Sequence, residues 1–395
     1  MAGSRVPLLI VGGGIGGMAA ALSLARRGFP AHVIEQAEDF GEIGAGLQLA
    51  PNATRVLDRL GLIEQIHAEA VELRRGLMMH AETGRHLATL DFGAAFRERY
   101  GQPYIVMHRG DLLAVLVDAC RASELVTMES DTTAVGVDDR SDSVRVSTAD
   151  GRVYHCGAVI GADGLWSAVR GHIHDSRPVC ARYVAYRGAV PLDDIGISVR
   201  ESDEVVWIGP GKHLVQYPIR RGELFNQVAV FRSTRYRPEI EATADWGTKE
   251  ELDEAFSSGC TQVRASIALL GTDRRWPMYD QEPLPTWTRG RTTLLGDAAH
   301  PMLQYLAQGA CQAIEDADRL ARELARHNGE VVPAFHAYQE QRMARTALVQ
   351  RRARWWGDLW HAEGDLVPAL RDRILTTRAA DDYSDLDWLY APTDT

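Results

Sequence analysis

An apolar strand that runs straight into a glycine-rich turn and then a helix constrains this chain more than any other feature of its sequence. Leu8-Leu9-Ile10-Val11 is the strand, Gly12-Gly13-Gly14-Ile15-Gly16-Gly17 the turn, and the Ala/Leu-rich run through Leu22 the helix. Gly12, Gly14 and Gly17 stand in G-x-G-x-x-G spacing. Gly12 makes the turn, Gly14 lets backbone approach a pyrophosphate at the helix N-terminus, and Gly17 lets the helix pack close on the strand. Ile15 and Gly16 belong to the same phosphate-facing turn. A second strand, Ala31-His32-Val33-Ile34, ends in Glu35-Gln36, which puts a carboxylate where a ribose 2′-OH can donate to it and where a 2′-phosphate would be repelled. This half-site suits the adenosine diphosphate moiety of NAD or FAD, and the stretch alone does not choose between them.

The remaining bounds are broad. At 395 residues with 45% hydrophobic and 25% charged, the chain is an ordinary globular protein of two or three domains. No apolar run reaches the ~18 residues of a membrane span, and no basic segment precedes the first strand, so neither a span nor a signal peptide is expected. A net charge of −11 has the wrong sign for a general nucleic-acid binder, and an anionic substrate would need local cations. The five cysteines are scattered without a C-x-x-C pair, which argues against a zinc cluster or a dithiol centre and fits a reducing cytoplasm.

Taken in order, Gly41 to Gln48 is a second glycine cluster, too dense for a regular element, and is either a loop bringing the backbone of Gly46 and Leu47 near a ligand or a plain connection. Pro51 opens a helix. Val71 to Leu90 reads as strands of a different layer. Tyr104 to Met107 is a strand that delivers Arg109, with Asp111 at the N-cap position of the helix Leu112 to Cys120. Arg109 is then either a phosphate or ribityl contact or a surface partner of Asp111. Val135–Asp139, Ser143–Thr148 and Arg152–His155 form a meander with a turn at Asp150-Gly151. Ala158-Val159-Ile160 is a further strand, and Asp163-Gly164 at its end either meets ribityl hydroxyls or caps the helix that follows.

From Tyr183 to Leu269 the pattern changes to β-branched and aromatic alternation in four runs, the core of a separate sheet domain. His213 and Tyr217 share one strand face by period two and can point into one cavity; the bland reading of His213 is a satisfied core residue. Thr292 to Asp316 returns to strand, loop and helix, and the helix N-terminus at Gly309-Ala310 offers free N–H groups to an electron-rich ring edge. A long helix from Val332 to Asp358 and a Trp-rich tail follow. These shifts divide the chain into 1–182, 183–275, 276–330 and 331–395.

Four separated pieces now fall together: the N-terminal glycines with Glu35, His108-Arg109-x-Asp111-Leu112, Asp163-Gly164, and Gly296-Asp297-Ala298-Ala299-His300-Pro301. In that order and at those distances they resemble the single-component, FAD-dependent aromatic hydroxylases (group A flavoprotein monooxygenases) over essentially the whole chain. The resemblance implies an α/β fold: a Rossmann-type FAD-binding domain with an inserted β-sheet substrate domain and a C-terminal helical region. It also implies FAD contacts at Gly46, Leu47, Arg109, Asp163, Gly164, Asp297, Pro301, Gly309 and Ala310.

Within the family, Tyr186-Arg187-Gly188, His213 with Gln216-Tyr217-Pro218, Trp276-Pro277-Met278-Tyr279-Asp280 and Leu303-Gln304-Tyr305-Leu306 resemble the 3-hydroxybenzoate 6-hydroxylase branch, in which the positions matching His213, Tyr217 and Gln304 line the aromatic pocket. Ala307-Gln308-Gly309 is a form shared with salicylate hydroxylases. The implied reaction uses NADH to reduce tightly bound FAD and O₂ to form a C4a-hydroperoxide that hydroxylates a phenolic acid, 3-hydroxybenzoate giving 2,5-dihydroxybenzoate (gentisate). His213 would take or relay the phenol proton. With no second G-x-G-x-x-G domain, NADH would bind transiently. The expected partners are a small aromatic acid and a second copy in a cytoplasmic homodimer, with no metal. Salicylate, anthranilate or hydroxynicotinate hydroxylation, and a flavin-binding regulator that does not turn over, are the alternatives.

Overall fold

The computed structural model describes residues 4–41, 45–140, 142–192 and 202–392. The first part of the chain runs β1 (Ser4–Val11), α1 (Ile15–Ala25), β2 (Ala31–Ile34), β3 (Gly46–Leu49), α2 (Pro51–Arg59), α3 (Ile63–Glu69), β4 (Val71–Glu72), β5 (Arg75–His80) and β6 (His86–Asp91). Next come α4 (Ala94–Tyr100), β7 (Ile105–His108), α5 (Arg109–Arg121), β8 (Val126–Glu129), β9 (Ala134–Asp139), β10 (Val144–Thr148), β11 (Val153–Gly161) and α6 (Ala168–Ile173). The middle holds β12 (Val179–Pro191), β13 (Asp203–Gly209), β14 (Lys212–Ile219), β15 (Leu224–Arg232), α7 (Lys249–Phe256), α8 (Thr261–Ala268) and β16 (Arg275–Asp280). The chain closes with β17 (Thr288–Arg289), β18 (Thr292–Leu294), α9 (Gly309–Arg326), α10 (Val331–Trp360), α11 (Leu366–Thr377) and α12 (Asp387–Tyr390).

One sheet has the order β17-β18-β11-β1-β2-β8, and its pairs from β18 to β8 are parallel. Parallel strands bury both faces, which is why Leu8–Val11 of β1 and Ala158–Ile160 of β11 are apolar without alternation. Helices α5 and α9 pack on α1. The strand around Arg152–His155 and the strand around Ala158–Ile160 are one continuous element: β11 pairs antiparallel with β10 near its start and parallel with β1 along its length. Gly157 does not interrupt it, because this glycine is where β1 comes closest; a Cβ there would lie 2.6 Å from the Pro7 carbonyl oxygen.

Two local expectations are corrected. Residues 42–44 of the second glycine cluster lie outside the described residues, but Gly46–Leu49 is a regular strand, paired antiparallel with β7. The glycine density ends where the ladder begins. Helix α5 is capped by His108, whose Nδ1 accepts from the Gly110 N–H at 3.1 Å, and Asp111 sits in its first turn, paired with Arg220 at 3.2 Å. The helix begins one turn early because the strand delivers its last residue directly into the cap.

The second sheet has the order β16-β12-β15-β14-β13-β5-β6. It is not confined to 183–275: β5 and β6 arrive from the first part of the chain, and β5 pairs in parallel with β13. Its central strands β13, β14 and β15 alternate between two cores. Val206, Ile208, Val215, Tyr217, Val228 and Val230 join the core shared with the nucleotide domain. Val205, Trp207, Leu214, Ala229 and Phe231 join a second core closed by Leu252, Phe256, Val263 and Ile267 of α7 and α8. One face of the sheet is therefore aimed at the nucleotide domain by sequence parity alone.

The C-terminal region folds back over both sheets. Tyr383 and Tyr390 are buried among Phe96, Tyr100 and Tyr104, and Trp360 is buried, so most of the aromatic tail packs on the body of the protein, while Trp355 is exposed. Among the described residues no helix is long and apolar enough to cross a membrane. The fold is the expected one: a Rossmann-type α/β domain, an inserted β-sheet domain and a C-terminal helical region.

A Cβ on Gly17 would lie 1.9 Å from the Gly12 carbonyl oxygen, a backbone atom that cannot step aside. Gly17→Ala should therefore cost ~3 kcal/mol or more of stability. Gly171→Ala, in α6 with nothing within 4 Å of the added carbon, should be neutral or mildly stabilising. Urea unfolding of both variants checks the contrast; equal midpoints would contradict it.

Candidate active site

Three chain crossings meet at the carboxyl ends of β1, β11 and β18. Gly12 adopts φ +108° with its α-carbon against the Ala162 carbonyl, where a Cβ would sit 2.3 Å away, so the first loop is wedged onto the end of β11. Gly16 touches Leu295 and Ala313 at 2.9 and 3.2 Å on the same construction, and Gly296, at φ +61°, touches Ala313 at 3.1 Å. The N-termini of α1 and α9 are thus brought side by side. Neither has a side-chain cap or an acidic residue in its first turn, so both leave N–H groups and partial positive charge for a ligand. The crevice lies at the topological switch of a parallel sheet, between β1 and its neighbours β2 and β11.

The residues present fit FAD. Glu35 Oε2 accepts from Gly13 N at 2.7 Å and Oε1 from Ala37 N at 2.9 Å, which fixes the carboxylate at the end of β2, and Gln36 beside it is exposed. Asp297 is exposed within an otherwise buried turn; its carbonyl accepts from Arg170 at 3.4 Å, and its carboxylate makes no hydrogen bond among the described residues. Gly164, at φ +74°, has open space where a Cβ would be. Arg109 opens α5, its N–H donating to the Ala45 carbonyl at 3.2 Å, and Gly309 and Ala310 form the first turn of α9. Asp163 is placed differently. Its oxygens accept from Ser167 Oγ and from the N–H groups of Ala168 and Val169, so its carboxylate holds the start of α6. Burial raises its pKa against those bonds.

The turn that carries Asp297 is held from behind by buried charges. Asp316 Oδ2 accepts from Gly296 N at 3.1 Å and bonds His300 Nε2 at 2.5 Å; Oδ1 accepts from Arg342 Nε at 2.6 Å. Glu315 accepts from Arg342, from Arg345 at 2.7 and 2.8 Å, and from Asn52 at 2.5 Å. Pro301 is tied in through its carbonyl, which accepts from Gln350 at 3.0 Å. The chain then makes a short 3₁₀ turn, Gln304–Leu306, and passes through Ala307 at φ +52° before α9. A left-handed alanine costs ~1 kcal/mol, and the network on either side holds it there.

The substrate-side surface follows from strand register. On the face aimed at the nucleotide domain, Ala185, Val230 and His213 form one row, Arg187, Val228 and Val215 the next, and Ala189, Asn226 and Tyr217 the third. Rows two residues apart and strands ~4.8 Å apart make a shallow floor. β3 closes one end: Gly46 N donates to Asn226 Oδ1 at 2.7 Å, and a Cβ on Gly46 would strike the Tyr217 ring at 2.6 Å. Leu47 follows, and Gln48 donates to Glu204 at 2.5 Å while accepting from Tyr104 at the same distance. Burial lifts Glu204 to about 7, with the Gln48 hydrogen bond opposing. Burial also pushes the Tyr217 phenol up, helped by Glu204 and opposed by Arg187. Over the middle row, Arg187 donates to Gln304 Oε1.

The other end is aromatic. His213, 1% exposed, lies against Tyr305, Trp360 and His361, and its Nδ1 is 2.7 Å from His361 Nε2. Burial lowers the His213 pKa far below the ordinary imidazole value, with His361 and Arg187 adding to it, and burial followed by Arg232 and Arg371 lowers His361 to about 3. Both rings are neutral at physiological pH. One proton lies between them, and which ring carries it is set by what meets the remaining nitrogens.

So the structure brings His213, Tyr217 and Gln304 to one floor. The sequence offers Arg187 and Asn226 only as members of motifs and Glu204 only as the start of a strand run, with no role for any of the three, and it gives no sign of His361. Period two would have found Arg187 once β12 was registered on β15, but His361 follows the last turn of α10, 148 residues from its partner, and left no local signal. Among the described residues no cluster fit to hold a metal is found, and all five cysteines are unpaired.

The profile of the FAD-binding domain family matches residues 5–353. A 3-hydroxybenzoate 6-hydroxylase of Polaromonas naphthalenivorans is 40% identical over 386 residues, covering 98% of this chain and 96% of that protein. The 3-amino-4-hydroxybenzoate 2-monooxygenase PtnB3 of Streptomyces platensis is 36% identical over 392 residues, covering 98% and 96%. Klebsiella pneumoniae HpxO, solved with FAD and uric acid, superposes with a TM-score of 0.85 at 24% identity over 98% of this chain and 97% of its own, a likeness of fold.

The buried acids make the site's scaffold sensitive to acid. Burial alone would raise Glu315, but Arg342 and Arg345 bring it down to about 2, and Asp316 is likewise lowered against burial by His300 and Arg342. A depressed carboxylate contributes stability above its unfolded pKa, and that contribution is lost as pH falls from ~4.3 toward the folded value. Arg342→Met removes the shared partner and should cost ~3–5 kcal/mol at neutral pH. It should also flatten the acid limb of a melting-temperature profile between about pH 4.5 and 2. An unchanged profile would show that the network does not carry the turn.

Proposed function

The chain belongs to the FAD-dependent aromatic hydroxylases, and from that premise we propose that it uses NADH and O₂ to hydroxylate a phenolic aromatic acid. The substrate proposed is 3-hydroxybenzoate and the product 2,5-dihydroxybenzoate, with NAD⁺ and one water formed per turnover. The reading is supported by near-full-length identity to proteins named for this reaction and by one observation within the site: a neutral histidine on the sheet floor whose Nδ1 is already engaged.

Bound FAD supplies an electrophilic oxygen derived from O₂, and the chain's own residues do the rest. A phenol with a pKa of ~10 is a poor nucleophile at pH 7 until its proton is drawn away. With His361 holding Nδ1, His213 presents Nε2 for that proton. The tautomer with the proton between the rings on His213 leaves Nε2 bare, ready to accept, and a charged His213 can pass its Nδ1 proton on to His361. Gln304 spends its carbonyl on Arg187, so its NH₂ group remains to donate to a ligand oxygen. Tyr217 donates its hydroxyl from the far row of the floor. The Tyr305 and Trp360 rings and the apolar valines of the floor exclude water, which favours oxygen transfer over leakage.

His213→Ala should keep bound FAD and substrate-stimulated NADH oxidation yet slow hydroxylation by ~10² or more, with the missing oxygen appearing as H₂O₂. Stopped-flow reduction, peroxide release and product yield read the three separately. Loss of FAD would make His213 a packing residue, and full coupling would move the proton transfer elsewhere, Tyr217 first. Chromatographic identification of the product tests the substrate assignment: gentisate supports it, whereas catechol would support salicylate hydroxylation. A protein that binds aromatics without stimulating NADH oxidation would be the regulator.

A further inference from the structure

Arg187 is out of balance with its surroundings. A guanidinium has five N–H donors, and buried ones are ordinarily matched. Arg342 meets Glu315 and Asp316, and Arg170, whose Nε also lacks an acceptor, still donates its two terminal nitrogens to the carbonyls of Leu165, Asp297 and Ala298. Arg187 has a single hydrogen bond, to the Gln304 amide oxygen, and no carboxylate partner among the described residues. Its Nε is sealed from solvent with no acceptor. On the neighbouring strand Asn226, 0% exposed, has its Oδ1 engaged by Gly46 and its Nδ2 without a partner.

Register brings the two together. Arg187 lies opposite Val228 on β15, and Asn226 is two residues along the same strand, on the same face. Diagonal neighbours of this kind are ~7–8 Å apart at Cα, within the span of one carboxylate and the two side chains that reach for it. Both orphaned groups are donors, one of them a cation. The position between the His213 and Tyr217 rows also sets the ligand's direction, because an acid group held there points the ring toward His213.

We propose that Arg187, seconded by Asn226 Nδ2, is the counter-ion for the carboxylate of the substrate and makes the pocket selective for aromatic acids over their neutral analogues. This rests on the aromatic-acid reading above and adds to it the residue that recognises the acid. The carboxylate supplies the two acceptor oxygens that a guanidinium fork matches. Burial lowers the hold of Arg187 on its proton in the absence of such a partner, and an arriving anion reverses that.

The test is binding, read as the perturbation of flavin absorbance when the holoenzyme is titrated with benzoate and with benzamide. The wild type should prefer benzoate. Arg187→Met should weaken benzoate by about 100-fold and move benzamide by less than about three-fold. Arg187→Lys keeps the charge without the fork, and should lose about ten-fold for benzoate alone. It decides the matter if the methionine variant fails to hold FAD. Equal loss of both ligands, unchanged benzoate affinity in both variants, or a wild type that does not distinguish the pair would overturn the assignment. Failure to hydroxylate 3-hydroxybenzoate with the benzoate selectivity intact would sink the substrate reading and leave Arg187 in its role.

Discussion

Asp316 holds the Gly296 N–H, the His300 ring and the Arg342 guanidinium at once, with no exposure to solvent. Its neighbour Glu315 holds Arg342 and Arg345, and Arg345 in turn reaches the Trp388 and Leu389 carbonyls of the tail. A turn after the last parallel strand, the helix that follows it and the C-terminal region therefore share one pair of carboxylates. Buried ion pairs are poor sources of net stability, because desolvation offsets attraction. What they do well is penalise every arrangement in which a partner is missing. The turn at Asp297 is specified in this way as well as by the buried Ala298 and Ala299, whereas the 3₁₀ turn at Gln304 is held by packing, with Tyr305 against His213, Trp360 and His361.

The inserted sheet solves a different problem with simpler means. Its two faces feed two cores, and the division is written in alternation: Leu214 and Gln216 one way, His213, Val215 and Tyr217 the other. A one-residue slip would exchange the face aimed at the nucleotide domain for the packing face, so register decides which side chains meet that domain. That is why the alternation was legible in sequence and why His213 and Tyr217 were found together. The glycine turn was legible for a similar reason, since Gly12 and Gly17 answer contacts within their own strand–turn–helix unit or at the end of the adjoining strand.

What sequence did not disclose is what depends on distant segments. Nothing near His361 announces that it completes His213, and nothing near residues 75–91 announces that they extend the sheet of residues 179–280. Asp163 shows the limit from the other side. A carboxylate after a strand and before a helix suits a ribityl contact or a cap equally well, and only the hydrogen bonds to Ser167, Ala168 and Val169 show what its oxygens do. The error at Gly46–Leu49 has the same origin: glycine density describes a local preference, and pairing with β7 overrides it.

The charge balance of the protein gives the floor its significance. A chain of net charge −11 repels an anionic aromatic at long range, so steering cannot come from the overall field. Salt at physiological strength screens that repulsion beyond ~8 Å, and what remains is decided inside the pocket. There the sheet floor carries Arg187 without a carboxylate partner among the described residues, while the histidines beside it rest neutral because burial disfavours their charged forms. A second cation at His213 would hold the phenol as phenolate but would also attract the wrong end of the substrate. In the proposed assignment one permanent cation holds the acid and one neutral base activates the ring, and the strand register spaces the two residues two positions and two strands apart.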